Sequence, residues 1–294
     1  MAPDPLPVEP AGQSDICAEA VRLAQVIAAS GLRLKIMGGL AIWLTSRTAR
    51  SGPFAREYGD LDVVADSRDR RAVEALLESN GYLPDRLFNA LHGAQRLIYR
   101  AADAPWTLDV IFDELNMSHR IDLRGRLGGP VPTLDPADLL MTKLQIWQVN
   151  EKDVGDTACL LADAAIAVPP GRAGPGSPAA IRDVPASGSA AADTGPRLAT
   201  AATDPSVDPV IDAARIRALT GSDWGLSHTV EGNLARIVAL WRSTPVPVAP
   251  HDAAEQAETL LREIRSGPKT FAWRARARIG ERVRWYETPE DVRK

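Results

Sequence analysis

The sequence predicts an α/β (α+β) protein, with helices and strands alternating over its first part and a mainly helical C-terminal region. Hydrophobic spacing switches between helical and strand periods from Ser14 to about residue 165. A stretch at 168–209 then collects Pro, Gly, Ala, Ser and Thr with almost no large apolar residue. Beyond it every periodic segment is helical. The expected organisation is a disordered leader at 1–13, a folded domain at 14–167, a flexible linker at 168–209 and a helical region with a basic tail at 210–294.

Ile16 to Ala29 reads as a helix that places Val21, Leu23, Ala24, Ile27 and Ala28 on one face, with Gly31 as its stop. Leu32 to Met37 is a short β-compatible run ended by Gly38-Gly39, and the unalternating Leu40 to Leu44 reads as a buried helix start. A polar connection at 50–59 leads to a second strand, Asp60 to Ala65. Ser67 to Ser79 is an amphipathic helix with Ser67 as its candidate cap and Val73, Leu76 and Leu77 as its stripe. Gln95 to Arg100 and Trp106 to Phe112 are further strands across a turn at 102–105. Asp135-Pro136 opens a helix, and Leu139 to Leu161 forms one helix broken near Asn150 or two helices. Val210–Leu219, Asn233–Trp241 and Asp252–Ile264 complete the helical set. No internal repeat is evident.

At 294 residues, with 45% apolar and 24% charged residues, the chain has the composition of an ordinary globular protein able to bury a core. A formal net charge of −4 excludes a uniformly basic nucleic-acid coat. It leaves room for a local basic face, such as Arg262, Arg265, Lys269, Arg274, Arg276, Arg278, Arg282 and Arg284 interleaved with Phe271, Trp273, Trp285 and Tyr286. Those tryptophans also read as core and those arginines as a solvated face. Cys17 and Cys159 have neither disulfide-framework nor zinc-ligand spacing, and the four histidines lack ligand-like spacing. The N-terminal residues do not form a secretory signal and no apolar run reaches the length of a membrane span, so a cytoplasmic location without membrane association is expected.

Chemistry concentrates between Ile36 and Val64. Side chains at i and i+2 of a strand share a face, so Asp60 and Asp62 point together while Leu61, Val63 and Val64 anchor the strand. Asp109 lies within a later apolar strand, where an unpaired carboxylate is costly. Three such carboxylates suit magnesium, which prefers oxygen ligands and works in pairs at phosphoryl-transfer sites. Gly38-Gly39 allows close backbone approach to a triphosphate at a helix N-terminus. Plainer readings stand beside these: a solvated strand for Asp60 and Asp62, a simple turn for Gly38-Gly39, and an ion pair to Arg96 or Arg100 for Asp109. Arg47 and Arg56 are candidates to neutralise phosphates.

Gly38-Gly39-x-Ala41, Arg56-x-x-x-Asp60-x-Asp62 and Asp109 together resemble the nucleotidyltransferase superfamily of polymerase-beta type. The likeness is greatest to the abortive-infection (type IV) nucleotidyltransferase toxins and to lincosamide and aminoglycoside adenylyltransferases. It extends over about residues 15–165, through Lys143 and Lys152-Asp153-x-x-Asp156. The gap from Gly-Gly to D-x-D is longer than in the tightest pattern of the superfamily, which suits the toxin-like branch.

The resemblance implies a mixed sheet flanked by helices and a magnesium-dependent enzyme moving an NMP from an NTP to a hydroxyl acceptor, whether an RNA end, a protein or a small molecule. It implies two magnesium ions on Asp60, Asp62 and Asp109, with Lys143 and Asp153 as further catalytic residues. Gly38, Gly39, Arg56 and Lys143 would bind the nucleotide. A role as a toxin of a toxin–antitoxin or phage-defence system, with a protein partner, is part of the same expectation. The alternative is a catalytically silent copy of the fold that serves as a nucleotide-binding, regulatory or antitoxin-like partner. For Lys143, Lys152, Asp153 and Asp156 the residue-level alternative is ordinary helix-surface pairing.

Overall fold

The computed structural model describes residues 13–102, 104–168, 209–244 and 249–288. The expected leader at 1–13 and linker at 168–209 lie outside the described residues, apart from residues 13, 168 and 209. In chain order the elements are α1 (Gln13–Ser30), β1 (Leu34–Met37), α2 (Gly38–Thr45), β2 (Asp60–Ala65), α3 (Arg70–Ser79), β3 (Tyr82–Pro84) and α4 (Arg86–His92). There follow β4 (Arg96–Ala101), β5 (Thr107–Phe112), β6 (Glu114–Asn116), β7 (Arg120–Asp122), α5 (Pro136–Leu144), α6 (Glu151–Asp163) and β8 (Ala165–Ala167). The chain then forms β9 (Val210–Asp212), α7 (Ala213–Ser222), α8 (Trp224–Ser243), α9 (Ala253–Ser266) and α10 (Phe271–Ile279).

Five strands form one mixed sheet in the order β1-β2-β5-β4-β3, with β2 and β5 parallel and the other neighbours antiparallel. Because side chains alternate, register assigns each residue a face. One face carries Leu34, Ile36, Leu61, Val63, Leu97, Tyr99, Leu108 and Val110, each at most 1% exposed. The α1 helix contributes Ile16, Ala20, Leu23, Ala24 and Ile27 to the same core. Strand β2 presents Asp60 and Asp62 on the opposite face, and β5 presents Asp109 there, with Asp62 directly beside Asp109 in the parallel register. Sheet geometry, rather than a loop, therefore fixes the spacing of these carboxylates.

Caps explain several boundaries. Asp135 caps α5 by accepting from the Ala137 amide, Pro136 fills the first helical position, and Asn150 caps α6 by accepting from the Asp153 amide, so 139–161 is two helices. Gly31 and Gly81 take positive φ (67° and 88°) just after α1 and after Asn80 closes α3. Two expectations need correction. Ser67 does not cap α3: Asp66 accepts from the Arg68 amide, a 3₁₀ turn fills 67–69, and α3 starts at Arg70. The helix expected at 210–219 begins later, because 210–212 pairs with β8 as a parallel strand and Asp212 then caps α7.

Helices α7, α8 and α9 share the hydrophobic core of the sheet and its flanking helices. Asp138, fully buried on α5, accepts from Arg126 Nε (2.6 Å) and from Arg215 Nε of α7 (2.9 Å). Asn233 of α8 donates its side-chain amide to Leu144 O (2.9 Å) and Ile146 O (2.8 Å), satisfying carbonyls that the end of α5 leaves open. In α10 no residue is buried, and Phe271 is 86% exposed. No described helix is long and apolar enough to cross a membrane.

Candidate active site

Gly38 sits where β1 turns into α2, with φ of 72°, a conformation that costs any residue with a Cβ. A Cβ there would lie 2.3 Å from Asp62 Oδ2, so the turn brings backbone directly onto the carboxylate. Gly39 is equally confined, since its Cβ would lie 2.2 Å from an Arg56 guanidinium nitrogen and 3.0 Å from the Tyr58 ring. No side chain caps α2. The structure thus brings Gly38, Gly39, Asp62 and Arg56 together, although Arg56 and Asp62 lie some twenty residues down the chain from the glycines.

Burial pushes the half-buried Asp62 carboxyl up to about 7, reinforced by the negative charges of Asp60 and Asp109 and opposed by Lys143 and Arg96. Asp109 is buried and gripped by a fork from Arg96, Nε to Oδ1 at 3.2 Å and Nη2 to Oδ2 at 2.9 Å. The paired reading of Asp109 and its placement beside Asp62 therefore hold together. Asp60 is exposed at the first position of β2.

A second cluster lies alongside. Lys143 of α5 donates to Asp153 Oδ1 (2.5 Å) and lies 3.4 Å from Asp156 Oδ2. Arg56 forks onto Asp156 through Nε (2.9 Å) and Nη2 (2.7 Å) and stacks over Tyr58, 4.2 Å from the ring centre. Burial alone would lower Lys143, but Asp153 and Asp156 outweigh it and leave the ammonium above its ordinary value. The Tyr58 hydroxyl is buried with no hydrogen-bond partner among the described residues. Lys152 is exposed on α6, and Arg47 is exposed beyond α2. His119 is buried against Thr229 and His228 pairs with Glu281.

Three residues gain weight from the fold. Asp156 is the hub of the second cluster, Arg96 is the partner of Asp109, and Tyr58 is the platform under Arg56. The Asp153-x-x-Asp156 spacing, one helical turn, is the sequence signal for the first of these. Arg96 is one of the two arginines the sequence offers Asp109, and the fold selects it while Arg100 pairs with Asp85; Tyr58 under Arg56 is a loop contact with no local signature.

Among the described residues no group of three or more Asp, Glu, His and Cys is gathered closely enough to hold a metal ion. Asp109 is engaged by Arg96 and Asp60 sits at the exposed strand end. The donor chemistry of Asp62 and Asp109 nonetheless suits a hard divalent cation. Both offer oxygen ligands, they share one face in register, and the repulsion from Asp60 and Asp109 that adds to the effect of burial on Asp62 is what such an ion relieves.

No family model matches the chain, and no curated protein matches it. Among solved structures it is similar to the lincosamide antibiotic adenylyltransferase LnuA with lincomycin bound, at 14% identity over 49% of this chain and 94% of that one, with a TM-score of 0.35. A putative nucleotidyltransferase from H. pylori is 10% identical over 85% of this chain and 92% of that one, TM-score 0.30. JHP933 from Helicobacter pylori is 10% identical over 92% and 100%, TM-score 0.32. Likenesses of this size carry no functional weight, and the observed α/β architecture with its mixed five-stranded sheet stands on its own register.

Proposed function

We propose that the chain is a magnesium-dependent nucleotidyltransferase that moves an NMP from an NTP to a hydroxyl of an RNA end, a protein or a small molecule. The carrying observation is Asp62 beside Asp109 in parallel register, under the Gly38 turn, with Asp62 raised to about 7. Residues 14–167 form the catalytic unit in this reading, and helices α7, α8 and α9 share its core. Asp60, Asp62 and Asp109 would hold magnesium, which supplies charge neutralisation for the phosphates.

This chain's own residues do the rest. The backbone at Gly38-Gly39, at the positive end of α2, receives the triphosphate. Lys143, held by Asp153 and Asp156, and Arg56 set a positive edge for the leaving phosphates. The acceptor oxygen bonds to the α-phosphorus as the bond to the bridging oxygen breaks, releasing pyrophosphate, and a carboxylate of the Asp62–Asp109 pair takes the acceptor's proton. A toxin role and a cognate protein partner belong to the same reading.

The test is calorimetric titration with NTPs and magnesium on wild type and on Asp60→Ala/Asp62→Ala, beside transfer of labelled α-phosphate to RNA, protein and small-molecule acceptors. Loss of metal-dependent binding and transfer in the double variant is expected; equal affinity in both proteins sinks the assignment. The Arg96–Asp109 fork favours one second reading, a silent nucleotide-binding copy. Tight NTP binding without transfer to any acceptor supports that reading instead.

A further inference from the structure

Among the described residues, Arg96 is the one cation in direct contact with a carboxylate of the sheet face, and its situation differs from that of the other cations near the site. Its side chain is 46% exposed, against 22% for Arg56 and 13% for Lys143. Arg56 is anchored by the Asp156 fork, a bond to Glu57 O and the Tyr58 ring. Arg96 donates its side-chain hydrogen bonds to Asp109 and otherwise lies 5.8 Å from the centre of the Phe88 ring on α4. It is also the first residue of β4, where the chain enters the sheet from the 93–95 turn, so its side chain reaches Asp109 diagonally across the ladder, from opposite Ile111.

We propose that Arg96 is a displaceable counter-charge: it neutralises Asp109 in the metal-free protein and leaves that carboxylate when a divalent cation binds, moving onto the Phe88 ring. This rests on the nucleotidyltransferase reading and adds a regulatory step to it. Three carboxylates share the sheet face, and among the described residues a single guanidinium touches them, because Lys35 and Arg100 on the same face are turned to Gly129 O and to Asp85. A cation that ligates Asp62 and Asp109 must compete with the Arg96 fork for the oxygens of Asp109. The fork also holds Asp109 in a geometry set by the guanidinium rather than by a shared ligand position. Phe88, over whose ring the guanidinium already lies at 5.8 Å, gives it an aromatic face to rest on once it leaves Asp109.

Two measurements on the full chain test the step. Manganese alone is titrated by electron paramagnetic resonance into wild type, Arg96→Gln and Arg100→Gln, the last being an exposed cation on the same strand that pairs with Asp85. Arg96→Gln is expected to bind Mn²⁺ about fivefold more tightly than wild type, and Arg100→Gln to match wild type. In wild type, nitrogen-15 spectra should show the Arg96 Nε–H signal shifting and exchanging faster with solvent as magnesium saturates. An Nε–H signal unmoved at saturating magnesium overturns the proposal and leaves the metal reading intact, as does equal manganese affinity in wild type and Arg96→Gln. Absence of metal binding in all three proteins overturns both.

Discussion

Two charge clusters lie side by side at this site and balance differently. On the α5–α6 side, Asp153 and Asp156 face Lys143 and Arg56, two charges against two, each joined by short hydrogen bonds or close ion pairs. On the sheet side, Asp60, Asp62 and Asp109 face Arg96, three against one among the described residues in contact. A closed set of charges is a structural device, since breaking it strands a buried ion. An open set adds to the effect of burial in holding a carboxyl above its ordinary range, and it leaves oxygen ligands for a cation. Asp153 and Asp156 thus hold Lys143 and Arg56 in place, while on the sheet side Arg96 engages Asp109 and leaves Asp62 without a direct cation contact among the described residues.

Removing a partner from the closed cluster should cost the fold most. Asp156→Ala leaves Lys143 and Arg56 each short of a carboxylate, and about 3 kcal/mol of stability should be lost in chemical denaturation. An unchanged midpoint would show that the cluster is not the structural one. Next comes the turn between the clusters. Gly38→Ala places a Cβ on the Asp62 carboxylate at positive φ and should cost about 2 kcal/mol, with a rise in the Asp62 titration midpoint seen by carbon-13 NMR.

The third test reads a slope with pH rather than a loss at one pH, and concerns the open cluster. Asp62 is raised, so its contribution to stability is complete below the unfolded value near 4 and is lost as pH rises through about 7. Metal-free wild type should therefore lose melting temperature over that interval by more than Asp62→Asn, which has no such carboxyl to ionise. Parallel pH profiles for the two proteins would remove the imbalance.

Much of this arrangement is legible in the residues themselves. The Asp60–Ala65 strand, the Gly38-Gly39 turn and the Asp135-Pro136 and Asn150 caps follow from periodicity and local hydrogen bonding, which act over a few residues. The short elements β3, α4, β6 and β7 escape such a reading because a strand of three residues, or a helix with no buried residue such as α4, has no period to detect. The same limit applies to Val210–Asp212, which is a strand only because β8 lies beside it. At the site, the carboxylates of β2 are visible as i, i+2 chemistry. The Asp109 pairing is legible as a choice between Arg96 and Arg100, which the ladder settles for Arg96, whereas Arg56 meets Asp156 from a hundred residues away and has no local signal.

The amide of Asn233 that closes the end of α5 arrives 89 residues after Leu144, whose carbonyl accepts from it. During synthesis, the helix that carries Lys143 is made long before the residue that finishes it, and so is Asp138 before Arg215 reaches it. The order of emergence from the ribosome thus makes maturation of the N-terminal half wait for the C-terminal helices. A chain halted before residue 233 carries the carboxylates and Lys143 with the Leu144 and Ile146 carbonyls at the end of α5 still lacking the Asn233 amide.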